Sequence, residues 1–147
     1  MTTSISQIRA VINILSPDDL ADNVIQAAID RAHAYVSDLA GRSSATQDII
    51  NAAELNHSAY LAYQAYADRV VQQLPGMVND QGIFDPAAAV LLRATRDKLD
   101  GLKQISDESI AYLQYNFPKN EVAAVIPMAD AENYPDQYKM STFRSSW

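Results

Sequence analysis

Residues 18–40, DDLADNVIQAAIDRAHAYVSDLA, and residues 42–74, RSSATQDIINAAELNHSAYLAYQAYADRVVQQL, contain neither glycine nor proline and are separated only by Gly41. Both repeat apolar residues at helical spacing: Leu20, Val24, Ala28, Ala32, Tyr35, Val36 and Leu39 in the first, and Ile49, Ala53, Tyr60, Tyr63, Ala67, Val70 and Leu74 in the second. Gly41 suits the position just past a helix C-terminus, and so short a connection, through Gly41 to Ser43, forces the two helices antiparallel. The pair therefore reads as a long helical hairpin. Its facing sides are rich in alanine, which lets the backbones approach closely.

Each segment carries its own start signal. Ser16 stands where an N-cap belongs and Pro17 at the first helical position, with Asp18, Asp19 and Asp22 near the positive end of the dipole. Ser44 and Gln47 have the S-x-x-Q spacing of a capping box. Upstream, Ile5, Ile8, Val11, Ile12 and Leu15 mark a short helix over 4–15. Downstream, Pro75-Gly76 closes the second segment, Asn79 to Gly82 reads as a turn, and Asp85-Pro86 restarts helix. This third long helix takes Val90, Leu91, Ala94, Leu99, Leu102 and Ile105 as its apolar positions, with Gly101 a candidate bend. Ser106, Asp107 and Glu108 read as the cap of a final short helix through Ile110, Leu113 and Phe117.

The texture changes at Pro118, and residues 118–147 hold three of the six prolines and no helical stripe. The expected fold is thus all-α, a helical bundle over residues 1–117 built on the hairpin, with an extended C-terminal arm over residues 118–147. Val122 to Ile126 is short, apolar and partly β-branched, suited to pair as a single strand with another chain. Tyr134, Tyr138, Phe143 and Trp147 are spaced too widely for one local cluster, and four aromatics on a bare arm call for a partner to cover them.

At 147 residues, 48% hydrophobic and 20% charged, the chain has the size of one domain and enough apolar content to fold. Cysteine is absent, which removes disulfides, thiol nucleophiles and thiolate metal sites. Residues 1–8 lack the pattern of an export leader, and no run of eighteen apolar residues occurs, so neither export by a signal peptide nor membrane contact is expected. A net charge of −7 argues against general affinity for phosphate backbones, although a ring through which DNA slides would be served by a surface that does not grip it.

Catalytic and metal signals are few. Glu54 and His57 form an E-x-x-H, and Asp30 and His33 form its counterpart on the other long helix, which is half of a di-iron carboxylate pattern. Glu108, Glu121 and Glu132 are poorly placed to complete it, so both histidines are expected to border the hairpin core, with no metal or other cofactor. Arg93, Arg96, Lys98 and Lys103 form one basic run, interleaved with Asp97 and Asp100 as on a solvated, ion-paired helix face. Tyr60 and Tyr63 are expected in the core and Tyr66 outside it. No phosphate loop, G-x-S-x-G or Ser, His and Asp set is marked, and no enzyme activity is expected.

With Ile5 to Leu15, then Pro17-Asp18-Asp19-Leu20 with Ile25, Ile29, Ala32 and Tyr35 to Leu39, then Asp48 to Val71, the chain resembles the head–tail connector, or adaptor, proteins of tailed bacteriophages and related viruses. The resemblance covers roughly the first half of the sequence and rests on patterns of helix and cap. It implies a virion protein of the neck, assembled from host cytoplasm. Its copies would form a homo-oligomeric ring beneath the portal protein, extend the DNA channel without sequence-specific binding, and dock tail or stopper proteins. It further implies that the arm binds a partner, and Tyr134, Tyr138, Phe143 and Trp147 are our candidates for its anchors. The alternatives are a helical metal-binding bundle of the di-iron kind and a generic helical dimerisation module.

Overall fold

The computed structural model describes residues 2–73 and 85–118. The chain divides into two units, residues 1–117 and 118–147, and the helices described here belong to the first. They are α1 (Ile5–Ile12), α2 (Asp22–Ala40), α3 (Gln47–Gln72) and α4 (Pro86–Asn116), with no strand among the described residues. The all-α, hairpin-based expectation is met.

The antiparallel hairpin is visible in its cross-contacts. His33 meets Glu54, Tyr35 lies against His57, and the carbonyls of Asp18 and Asp19 receive the Arg69 guanidinium at 3.0 and 2.8 Å, so α2 descends as α3 rises. Alanine makes this closeness possible: Ala28 and Ala32 on α2 and Ala53, Ala59, Ala62 and Ala67 on α3 are all buried. Around them Ile8, Ile12, Ile14, Leu20, Ile25, Ile29 and Tyr63 form the main core, and Val36, Ala53 and Leu113 a second one toward the hairpin's connecting loop. Tyr66 packs on the main core with its ring 5.4 Å from that of Tyr63, contrary to the expectation that it would lie outside.

The helix starts differ from the sequence expectation in instructive ways. Residues 17–19 form a turn and α2 begins only at Asp22, so Pro17 is not its first residue. The cause is Arg9, which is buried. Its guanidinium takes the carbonyls of Ile14 and Ser16 at 3.2 Å and of Leu20 at 2.8 Å, and it also contacts the Asp22 carboxylate. Arg9 holds the Ile14 and Leu20 carbonyls, and the Ser16 carbonyl serves both Arg9 and the N–H groups of Asp19 and Leu20, so one closed turn precedes α2 and Ser16 caps only that turn, accepting from the Asp18 N–H at 3.2 Å. Asn13, in the left-handed region at φ 59°, stops α1 at Ile12 and leaves Leu15 exposed rather than on the buried stripe.

At the other end of the hairpin Ser44 does not form the expected capping box. Its N–H bonds the Phe117 carbonyl at 2.8 Å, and Thr46 becomes the N-cap of α3 without a side-chain bond. Asp85 and Pro86 do start α4 as expected, the Asp85 carboxylate accepting from the Ala87 N–H at 3.1 Å. The helix then runs unbroken through Gly101 and Ser106 to Asn116, so there is neither a bend-induced break nor a separate last helix. Leu74 and the turn at 79–82 lie outside the described residues.

Candidate functional site

The third long helix shows which of its faces is inside. Its buried residues are Ala88, Thr95, Ser106, Ile110 and Leu113, whereas Val90, Leu91, Ala94 and Ile105, expected as core positions, are exposed. Only Leu99 and Leu102 of the expected set pack against the core. The inward face is polar in part because it meets polar groups on α3. His57 Nδ1 lies 2.9 Å from the Ser106 hydroxyl, and Asn56 donates to Ser109 at 2.6 Å. The Lys98 ammonium reaches the Ile12 carbonyl and sits 5.3 Å from the centre of the Tyr63 ring.

His57 sits at the mouth of a cleft that carries titratable groups. It is an open space of about 370 Å³ lined by Tyr35, His57, Asp107, Ile110, Gln114 and Tyr115. Burial pushes the His57 pKa below its ordinary 6.5, with nearby Arg31 acting the same way and Asp107 opposing both. The imidazole is therefore neutral at pH 7, and one of its two nitrogens is committed to Ser106. That serine is fully buried, so its hydroxyl cannot meet a substrate carbonyl; the pair ties α3 to α4.

The two E-x-x-H-like motifs do not converge as a metal centre would require. The Glu54 carboxylate, buried, reaches across to His33 Nδ1 at 2.9 Å, while its other oxygen has no hydrogen-bond partner. His57 turns instead to Ser106, and Asp30 accepts from Gln26. Among the described residues no group of three or more metal-ligating side chains comes together. Of the basic run, Lys103 pairs with Asp107 at 3.1 Å, a helical neighbour rather than the interleaved Asp97 or Asp100, and Lys98 turns inward. Burial raises the Tyr63 phenol above its usual range, a hydrogen bond from Thr95 offsetting part of the shift.

The expected partner anchors Tyr134, Tyr138, Phe143 and Trp147, and the possible strand at 122–126, lie outside the described residues. What the structure does fix is the C-terminal end of α4. Ser44 holds the Phe117 carbonyl, the Ser43 hydroxyl reaches the Leu113 carbonyl at 3.4 Å, and the Phe117 ring packs edge-on against Tyr112 at 5.2 Å. The end of α4 is thereby clamped to the loop that joins α2 and α3. Two features escaped the sequence reading: Arg9, whose isolated basic charge inside an apolar stripe was the available signal, and the exposed apolar face of α4, marked by a seven-residue spacing.

Comparison with protein-family models, with curated proteins and with solved structures finds no match for this chain. No helix among the described residues is long and apolar enough to cross a membrane.

Proposed function

We propose that this chain is a structural head–tail connector: a virion protein whose copies form a ring between portal and tail, extend the DNA channel, and dock tail or stopper proteins. The observation that carries the reading is the clamp at Phe117. A four-helix body ends at a hydrogen-bonded point beside the hairpin loop, and a Pro-punctuated segment with four aromatics continues from that point. A fixed departure point confines where such an arm can search, which raises its effective concentration at a neighbour's surface.

Assembly in this reading needs no bond chemistry. Ordering the arm costs on the order of 1–2 kcal/mol per residue fixed, to be offset by burying Tyr134, Tyr138, Phe143 and Trp147 and by repetition of the same contact around a ring. Recruitment is then favourable on a preformed portal and weak elsewhere. The net charge of −7 suits a channel component that DNA passes without being held.

The test is a chain truncated before Glu121. It is expected to keep the helical circular dichroism of the full chain yet to be missing from purified particles, where the full chain is found at about a dozen copies, as a cyclic ring requires. Normal recruitment of the truncated chain would refute the arm's role. Absence of the full chain from particles would refute the connector reading itself.

A further inference from the structure

Among the described residues, one face of α4 leaves large apolar side chains exposed, with only Lys98, turned inward to the Ile12 carbonyl, and Tyr112, edge-on to Phe117, engaged within the chain. Leu91, Lys98, Ile105 and Tyr112 recur every seven residues, and Ala94, Gly101, Glu108 and Tyr115 recur every seven with an offset of three. That is the spacing of a helix seam made to pack against another helix. At about 100° per residue this seam lies roughly a third of a turn away from the buried face of Ala88, Thr95, Ser106 and Leu113, so the two are separate surfaces of one helix. Its large apolar members, with Val90 beside them, are between 39% and 73% exposed. The rest of the circumference carries Arg93, Arg96, Asp100, Lys103 and Asp107, so the apolar seam is not a general property of the helix.

We propose that two copies of this chain associate through this seam, antiparallel and related by a two-fold axis. The register sets Leu91 against the partner's Tyr115, Ala94 against the partner's Tyr112, and Gly101 against the partner's Ile105. Each large side chain then meets a small one or an aliphatic one, as interdigitating layers require. Lys98, its ammonium turned inward to the Ile12 carbonyl, falls in register with the partner's Glu108, so no like charges face each other across the seam. A parallel pairing would instead set Glu108 on Glu108, Lys98 on Lys98 and Tyr112 on Tyr112, crowding bulk in one layer and leaving a gap at Gly101. The antiparallel arrangement is therefore selected by size and by charge together.

Gly101 supplies an independent argument. A β-carbon built there meets nothing within 4 Å, so nothing in the packing of the described residues requires glycine in the middle of a 31-residue helix. A second backbone or an isoleucine side chain arriving from outside would require it. The area is sufficient: five large apolar residues so exposed give on the order of 1,000 Å² over two copies, the lower end for a specific interface and consistent with micromolar association. The inference does not rest on the connector reading. In a connector, however, a two-fold pair is self-closing and cannot propagate into a ring, so it would be the form that free copies hold before assembly.

Sedimentation of the full chain from about 1 to 200 micromolar tests the pairing directly. A monomer–dimer equilibrium is expected, weakened at least tenfold by Gly101→Leu and by Ile105→Glu, with unchanged helical circular dichroism. A monomer at every concentration would overturn the proposal, as would a dimer indifferent to both substitutions. Should Gly101→Leu disturb folding, Ile105→Ser on the exposed face carries the same test.

Register is tested separately, since the chain has no cysteine of its own. A mixture of Ala94→Cys and Tyr112→Cys chains, with a short bis-maleimide, is expected to give a mixed cross-linked product, and Ala94→Cys alone none. In the proposed register two copies of residue 94 are about 27 Å apart, at 1.5 Å rise per residue. Cross-linking of Ala94→Cys to itself would overturn the antiparallel arrangement.

Discussion

The α2–α3 hairpin and α4 are built from similar materials but differ in what holds their inner faces. Between α2 and α3 the contact is mainly alanine on alanine with isoleucine and valine around it, the buried polar exceptions being Glu54, which crosses to His33, and Ser58, which donates to the Glu54 carbonyl. Between α3 and α4 it is His57 on Ser106, Asn56 on Ser109 and Tyr63 beside Thr95. A helix can dock in part through hydrogen-bonded polar side chains and keep a set of large apolar ones outside. Hydrophobic periodicity finds a helix, but it does not say which partner the stripe belongs to.

The hairpin's start offers the strongest break. Arg9 donates to three carbonyls and faces Asp22 from a buried position, so Arg9→Ala takes this donor from the Ile14 and Leu20 carbonyls and leaves the 14–21 segment without its organiser. A loss of about 3–5 kcal/mol is expected in chemical denaturation, as two buried carbonyls lose a charged donor, whereas the Asp22 carboxylate, 62% exposed, adds little. Lysine in its place keeps the charge but not the fork, and is expected to recover only part of the loss. A full recovery by Arg9→Lys would show that charge alone matters.

The second break is aimed at α4. Leu113 is fully buried against Val36 and Ala53, and Leu113→Ala is expected to cost about 2–5 kcal/mol. Ile105→Ala, on the face that periodicity favoured, is expected to change the stability of the isolated chain by no more than about 0.5 kcal/mol in dilute solution. Reversed magnitudes would mean that α4 docks by its apolar seam and that its inside and outside have been exchanged.

His57 sharpens the contrast by adding pH. Its folded pKa is lowered from 6.5 by burial, so the unfolded chain binds the proton more readily. The stability tied to neutral His57 is present in full above about pH 6.5 and is lost as pH falls from there through the folded pKa. Thermal melts are expected to show that decline, and His57→Ala to flatten it. The variant also leaves Ser106 without its partner, at a cost of about 1–2 kcal/mol. An unchanged pH profile in the variant would assign the decline to groups other than His57.

How much was legible follows from the same contrast. The hairpin was readable because its signals are local: two breaker-free segments, a single Gly41 between them, and small residues at helical spacing. The start of α2 was not readable, because Ser16-Pro17-Asp18 is a sound local helix signal and loses only to the long-range demand of Arg9 for carbonyls. Ser44 was misjudged for the same reason, its N–H being taken by Phe117 some seventy residues away. For the candidate site, the E-x-x-H repeat marked residues that do lie at the hairpin interface, but it could not show Glu54 crossing to His33 while His57 turned to Ser106. Those choices depend on the register between helices, which no single segment encodes.

Gly101 gives the smallest effect and the most specific one. Glycine in a helix interior is about 1 kcal/mol less favourable than alanine, and here a methyl group would meet nothing among the described residues. Gly101→Ala is therefore expected to raise the stability of the dilute monomer by about that amount, the gain arising largely from the lower entropy of the unfolded chain. If α4 pairs with α4 as proposed, the added methyl sits between two close backbones and holds them apart. The gain should then shrink as protein concentration rises into the dimer range, because the variant gives up association as it gains helix. Denaturation at two concentrations on either side of that range separates the contributions: an equal gain at both would mean that nothing outside the chain uses the space Gly101 leaves open.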